Sequence, residues 1–229
     1  MPEGTPMRVL RWSALSPEER DQLLERGIRA IFDPALQEAV GRIVDDVREN
    51  GDAAVCRALE EFDGCRVQPG ALRVTAGEFA RAREQVPAAV LAAIATGIAN
   101  VRAFNEELVG DRRWQAEIAP GLTVGERSTP VASAGLFVPS GKGSFPSVLV
   151  QIGTPAMVAG VPELAVVVPP GPGGGDAQNG RVDLAAELGI ANVFRVNGPA
   201  GVAALAFGTE SIPKVRKVLG PGSPPVQAA

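Results

Sequence analysis

An uninterrupted apolar run, Leu164-Ala165-Val166-Val167-Val168, lies in the second half of the chain and ends at Pro169-Pro170. A strand with one face in solvent would alternate apolar and polar residues, so this run predicts a strand that is buried on both faces. Strands of that kind belong to parallel sheets, because the crossover connections that join parallel strands cover the sheet with helices. The run therefore predicts an α/β fold.

The pattern around this strand repeats along the second half of the chain. Short apolar runs at residues 135–138, 193–196 and 215–219 alternate with Ala-rich stretches of helical character at residues 147–160, 182–188 and 201–207. Strand, helix and strand in succession predict a parallel sheet with right-handed crossovers. We therefore predict a Rossmann-like domain of the NAD-binding type over residues 134–229.

The first half of the chain has helical signals instead. Ser16-Pro17-Glu18-Glu19 and Thr75 to Glu78 match capping boxes, and Asp33-Pro34 is a second type of helix start. An apolar stripe with steps of three and four runs from Val90 to Leu108 and predicts a helix that packs on a core. Residues 114–118 and 122–124 flank Ala119-Pro120-Gly121 and predict a hairpin. Residues 1–133 are thus expected to form a mainly helical region with a short hairpin.

Composition excludes several kinds of chemistry. The 229 residues include no histidine, no tyrosine and two cysteines, so this chain alone cannot build a Ser-His-Asp triad or a typical zinc site. The net charge of −4 argues against a nucleic-acid partner, since phosphate contacts need clustered basic residues. We expect no membrane span and no secretory signal, and we expect two thiols of a cytoplasmic protein rather than a disulfide framework.

The loops after the predicted strands are rich in glycine and proline, and they indicate where a ligand would bind. They are Pro139-Ser140-Gly141-Lys142-Gly143, Pro169-Pro170-Gly171-Pro172-Gly173, Asn197-Gly198-Pro199 and Gly220-Pro221-Gly222. Ligands of open α/β sheets bind beyond the carboxyl ends of the strands, so these loops are expected to line a nucleotide site. Lys142 is followed by glycine rather than Ser or Thr, which excludes a P-loop, and residues 171–175 lack the dinucleotide fingerprint.

Four strings in the second half resemble the histidinol dehydrogenase family, in the order and with the spacing of that family. They are Gly135-Leu136-Phe137-Val138-Pro139, Pro155-Ala156-Met157-Val158-Ala159-Gly160-Val161, the stretch from Arg195 to Ala206, and Phe207-Gly208-Thr209-Glu210-Ser211-Ile212-Pro213 with Gly220-Pro221-Gly222. The resemblance covers essentially the whole chain but only the first half of the family's length. It implies NAD-dependent oxidation of L-histidinol to L-histidine, the end of histidine biosynthesis, by a zinc-containing homodimer. It also implies that the zinc ligands and a Glu-His acid–base pair lie in the half that is absent here.

The resemblance assigns three cofactor-binding positions and no catalytic or metal position to this chain. The family contacts NAD through an aromatic residue, a glutamine and an asparagine, and the matching positions here hold Phe137, Ala200 and Ser223. Phenylalanine keeps a ring, alanine loses the side-chain amide, and serine keeps one short polar group. Three interpretations therefore stay open: a truncated histidinol dehydrogenase, a divergent paralogue that oxidises another alcohol, and a non-catalytic remnant that binds nucleotide or a partner subunit.

Overall fold

The computed structural model describes residues 9–24, 31–139, 145–171 and 179–229, and these fold into an α/β structure. Its helices are α1 (Pro17–Leu24), α2 (Pro34–Asp63), α3 (Ala76–Gln85), α4 (Ala88–Val109), α5 (Pro146–Val158), α6 (Asn179–Glu187), α7 (Gly198–Phe207) and α8 (Pro224–Ala228). Its strands are β1 (Arg113–Ala119), β2 (Leu122–Arg127), β3 (Ser133–Phe137), β4 (Glu163–Val168), β5 (Val193–Arg195) and β6 (Lys217–Leu219).

The main sheet has four strands in the order β5-β4-β3-β6, and every pair is parallel. Helices α5, α6 and α7 connect successive strands, so the predicted alternation of strands and helices is confirmed. The first strand of the sheet, β3, lies between β4 and β6, and the direction in which strands are added reverses between β3 and β6. Such a reversal opens a crevice at the carboxyl ends of the two strands, where open α/β sheets bind ligands.

Helices cover both faces of this sheet, as the apolar run of β4 requires. Along β4 the side chains alternate between two cores: Ala165 and Val167 belong to one, and Val166 and Val168 to the other. The first core also contains residues of α2 and α7, and the second contains residues of α3, α5 and α6. Gly135 of β3 lets α7 approach closely, because a Cβ there would lie 2.8 Å from a methyl group of Leu205.

The predicted helix starts of the first half are present. Asp33 accepts hydrogen bonds from the amides of Ala35 and Leu36, and Thr75 and Glu78 form a complete capping box at α3. The sequence predicts a helix that ends at Gly51 and a new one that begins near Ala53. The structure joins them into α2, with a bend at Gly51 whose φ of 54° and ψ of −133° are not helical.

Strands β1 and β2 form the predicted hairpin, with Trp114 opposite Glu126 and Ala116 opposite Val124. Every residue of the two strands is exposed. An isolated two-stranded hairpin is marginally stable in water, so this one is expected to need a further packing partner.

Helix α4 is long and apolar enough to span a membrane, although the sequence analysis expected no such segment. Its 22 residues contain an 18-residue window with a mean hydropathy of 1.3, which meets the length and composition of a span. Core helices of water-soluble folds can meet the same criteria. Ile94, Ile98 and Val101 pack against the second core, whereas Phe104 and Leu108 are exposed. Those core helices are mostly buried, whereas no residue of α4 is buried, so one side of α4 packs on the protein and the other side is open.

Candidate cofactor cleft

A cleft of about 720 Å³ lies at the carboxyl ends of β3 and β6. Its sheet-side wall comes from the loops that follow three strands: Pro139 after β3, Asn197 after β5 and Ser223 after β6. The opposite wall is α2, on both sides of its bend. The cleft therefore lies where the strand order reverses. The predicted loops after β3 and β5 reach it, whereas residues 169–171 after β4 do not line it.

The three residues assigned from the family resemblance all lie on this cleft. Phe137 is the last residue of β3, Ala200 is in the first turn of α7, and Ser223 directly precedes α8. Their accessibility differs, because Phe137 and Ala200 are each 2% exposed while Ser223 is exposed. The Ser223 hydroxyl makes no capping hydrogen bond to α8. Of the three side chains, Ser223 is thus the one that a bound molecule can reach most freely.

The bend in α2 makes the opposite wall concave. Arg57, after the bend, forms an ion pair with Asp46, before it, at 2.7 Å. In a straight helix residues eleven apart are separated by about 16 Å along the axis, so this contact requires the bend. The hydrogen bond from Arg57 also lowers the pKa of the Asp46 carboxyl below its usual range. The pair therefore places a guanidinium and a carboxylate side by side on the cleft wall.

The amino terminus of α7 opens into the cleft. Gly198, Pro199 and Ala200 line it, and α7 is a ten-residue helix. The first turn of a helix carries free amide N–H groups and a partial positive charge, which favour anions such as phosphate. Asn197, which precedes the helix, does not cap it but donates from its side-chain amide to Asp63 at 2.7 Å. This bond ties the end of α2 to the start of α7 across the cleft.

Sequence reasoning did not identify Phe62 as part of the site. Phe62 lines the cleft and is 60% exposed, so its ring is accessible to a ligand in the cleft. The ring of Phe137 is buried and much less accessible. Exposed planar rings of this kind stack on bases. Its position follows from the bend of α2, and the local sequence around residue 62 has no feature that distinguishes it from a solvated helix end.

Metal-ligating groups do not gather in the described part of the chain, where no group of three or more Asp, Glu or Cys side chains is placed to hold an ion. With no histidine in the sequence, the donors present do not fit the nitrogen and sulfur ligands that zinc prefers. Two predicted loop features, Lys142 and most of residues 171–175, lie outside the described residues.

The four-stranded parallel sheet, its helices on both faces and the cleft at its reversal point define an α/β protein of the Rossmann-like class. Comparison with known proteins gives the family. Residues 29–229 match the family model of histidinol dehydrogenase, and the chain belongs to that family.

Individual relatives agree with this assignment. The chain is 42% identical over 226 residues to a histidinol dehydrogenase homolog of Rhizobium meliloti, and 40% identical over 221 residues to a histidinol dehydrogenase of Synechococcus. These matches cover 98% and 95% of this chain but 49% of each relative. A crystal structure of histidinol dehydrogenase from Elizabethkingia anophelis superposes with a TM-score of 0.79 at 26% identity, covering 84% of this chain and 44% of that one. The chain thus spans about half the length of the relatives that it matches.

Proposed function

We propose that this chain is the NAD-binding half of a dehydrogenase of the histidinol dehydrogenase family. The observation that carries the proposal is the cleft at the ends of β3 and β6, which brings Phe137, Ala200 and Ser223 together from three separate parts of the sequence. The family resemblance assigns cofactor contacts to these positions. Their placement on one cleft at the reversal point is what a dinucleotide site of this fold requires.

The residues around the cleft suit the parts of a dinucleotide. The first turn of α7 and the guanidinium of Arg57 would bind and orient the anionic diphosphate. The exposed ring of Phe62 would stack on one of the two bases. When bound, NAD supplies the acceptor for the hydride that leaves the alcohol carbon. The role of this chain is then to hold the cofactor and to exclude water from one of its faces.

Catalysis itself is proposed to depend on the polypeptide that corresponds to the second half of the relatives. Hydride loss from an alcohol needs a base that takes the hydroxyl proton, and this chain has no histidine or tyrosine for that task. The family's zinc ligands and Glu-His pair would come from the same second half. With them the substrate would be L-histidinol, oxidised to L-histidine in two NAD-dependent steps.

A second candidate is a paralogue that oxidises a different alcohol. Alanine at position 200 removes the amide that the family pattern places on the cofactor site. The relative from Rhizobium meliloti at 42% identity and one from Mesorhizobium japonicum at 40% are both named histidinol dehydrogenase homologs. These two facts favour divergence from the histidinol dehydrogenases of the family.

The proposal also needs a surface on which further polypeptide packs. Large apolar side chains are exposed on α4 and the hairpin, namely Phe104, Leu108, Trp114, Ile118 and Leu122. Several large apolar side chains exposed on two elements are more than the scattered single ones of an ordinary surface, and this favours an interface. We propose that it packs against the second half of the enzyme and that the complete protein is a cytoplasmic homodimer.

We propose that this chain binds NAD and that the second half supplies the catalytic residues. The test is to mix the chain with the separately expressed second half of the Synechococcus relative. The chain alone should form no NADH from L-histidinol and should bind no zinc tightly, whereas the mixture should form NADH. Assembly is followed by the fluorescence of Trp114, which is 52% exposed, in a Trp12→Phe variant, and burial should shift its emission to the blue.

NADH formation by the chain alone would contradict the proposal, and so would an inactive mixture in which the Trp114 shift proves assembly. Activity of the mixture with another amino alcohol but not with histidinol would select the paralogue.

A further inference from the structure

The bend of α2 is held by a residue that is distant in the sequence. Glu210 accepts a hydrogen bond from the backbone N–H of Asp52 at 2.8 Å, and this bond lowers the pKa of the Glu210 carboxyl. The same carboxylate occupies the space beside Gly51, where a Cβ would lie 2.3 Å from Oε2 of Glu210. Glu210 therefore satisfies the first free amide after the bend, as an N-cap residue does from within a helix.

The side chain of Asp52 also binds the loop that contains Glu210, here as a hydrogen-bond acceptor. Its side chain is buried, with 4% of the residue exposed, and its carboxylate accepts from the hydroxyls of Thr209 and Ser211 at 2.5 Å each. Charge-assisted hydrogen bonds of this type are roughly twice as strong as neutral ones. Residues 209–211 form the loop that follows α7. The Glu210 carboxylate of this loop binds the bend of α2, and the Asp52 carboxylate at the bend binds the loop.

Both ends of the second half of α2 are thereby tied to the two ends of α7. Its start is bound to residues 209–211, which follow α7, and its end is bound through Asp63 to Asn197, which precedes α7. Between these ties lie Ala54, Arg57, Ala58 and Phe62, which line the cleft. Residues 209–211 and Asp52 do not line it. Any influence of theirs on a ligand must therefore act through the position of α2.

We propose that Asp52, Thr209, Glu210 and Ser211 form a positioning clamp that sets the width of the cleft and thereby the affinity for the dinucleotide. The clamp rests on the proposed NAD site for its ligand, but its effect on α2 can be measured without any ligand. A helix half that is held at both ends presents Arg57 and Phe62 in one arrangement. If the start of this helix half were released, Arg57 and Phe62 would occupy many arrangements, and ligand binding would have to order them.

Cys56 is a native probe of the clamp. It lies half-buried on the second half of α2, four residues after Asp52, and burial together with the charge of Asp52 raises the pKa of its thiol. Since the thiolate is the reactive form, alkylation by iodoacetamide near pH 8 should be slow while α2 is held. Cys65 is buried, and a Cys65→Ser background leaves Cys56 as the single thiol.

Four variants in this background test the proposal, with NAD affinity measured by calorimetry and Cys56 alkylation as the second readout. Glu210→Ala should weaken NAD binding at least tenfold and accelerate the alkylation of Cys56 severalfold. Glu210→Gln keeps an oxygen acceptor for the Asp52 amide, so its NAD affinity and alkylation rate should be close to those of the unsubstituted chain. Gly51→Ala should resemble Glu210→Ala, because its side chain displaces Glu210 and φ is positive. Gly41→Ala in the same helix is the matched control, since a Cβ there meets nothing within 4 Å.

Each outcome is decisive. Unchanged alkylation in Glu210→Ala and Gly51→Ala would show that the clamp does not hold α2. Faster alkylation with unchanged NAD affinity would reduce the clamp to a structural tie without a positioning role. If the unsubstituted chain binds no NAD, the proposed function fails, and a clamp that acts on a dinucleotide fails with it. The alkylation rates would then still tell whether residues 209–211 hold α2.

Discussion

Single residues show how far the site could be predicted from the sequence. The family resemblance assigned Phe137, Ala200 and Ser223 to the cofactor, the strand-end rule predicted a ligand site at neighbouring loops, and all three residues line the cleft. Their exposure was not predictable, because it depends on how α2 and α7 pack over the sheet. The exposed ring in the cleft belongs to Phe62, which no local pattern distinguishes. Sequence thus predicted the location of the cleft better than the side chains that a ligand would touch.

Restoring the family amides should strengthen cofactor binding if residues 200 and 223 face the dinucleotide. Ala200→Gln with Ser223→Asn adds two side-chain amides, one at the exposed position 223 and one that must reach the cleft from the buried position 200. A net gain of about 0.5–1.5 kcal/mol per hydrogen bond predicts on the order of tenfold tighter NAD binding for the double variant. Calorimetric titration of both proteins measures the difference. Weaker binding would mean that the cleft has repacked around another geometry. Unchanged affinity would show that residues 200 and 223 do not belong to the cofactor site.

Helices and strands were predicted well wherever the residues that determine them are close together in the sequence. The capping residues Asp33 and Thr75 lie within four positions of the amides that they bind, so spacing alone identified the helix starts. Gly51 likewise indicated the end of a helix. Its function as a bend could not be predicted, since the Glu210 carboxylate that stabilises it is 158 residues away from Asp52. Contacts of such separation depend on the topology of the sheet, which local propensity does not encode.

Helix α3 offers a test of such a long-range contact. Glu78 completes the capping box with Thr75 and also forms an ion pair with Arg195 of β5, and both residues are buried. Burial lowers the pKa of Arg195, but the guanidinium stays charged at neutral pH and needs a partner. Glu78→Ala would leave this charge unpaired and should cost about 3–5 kcal/mol of unfolding free energy.

Thr75→Ala is the matched variant for this prediction. It removes the cap but keeps the ion pair, so it should cost about 1 kcal/mol. Urea unfolding followed by circular dichroism gives both values. Equal losses in the two variants would contradict a structural role for the Glu78–Arg195 pair.

For the whole molecule, the alternation of strands and helices predicted the α/β class and the parallel sheet. The order β5-β4-β3-β6 was not predictable from spacing, because an additional strand can join either edge of a sheet. The order matters most for function, since it places the reversal point between β3 and β6 and so forms the cleft. The hairpin was predicted, but its full exposure was not. Phe104 and Leu108 of α4 are exposed, although the sequence predicted a packed stripe.

NAD binding between α2 and the strand ends is the central claim, and calorimetric titration of NAD tests it most directly. The unsubstituted chain should bind NAD at one saturable site. Ala58→Trp, which places a large ring into the cleft from α2, should weaken binding at least tenfold. Ala99→Trp makes the same change on the exposed surface of α4 and should leave binding unchanged. Absence of binding to the unsubstituted chain, or equal affinity in the Ala58→Trp variant, would contradict the account.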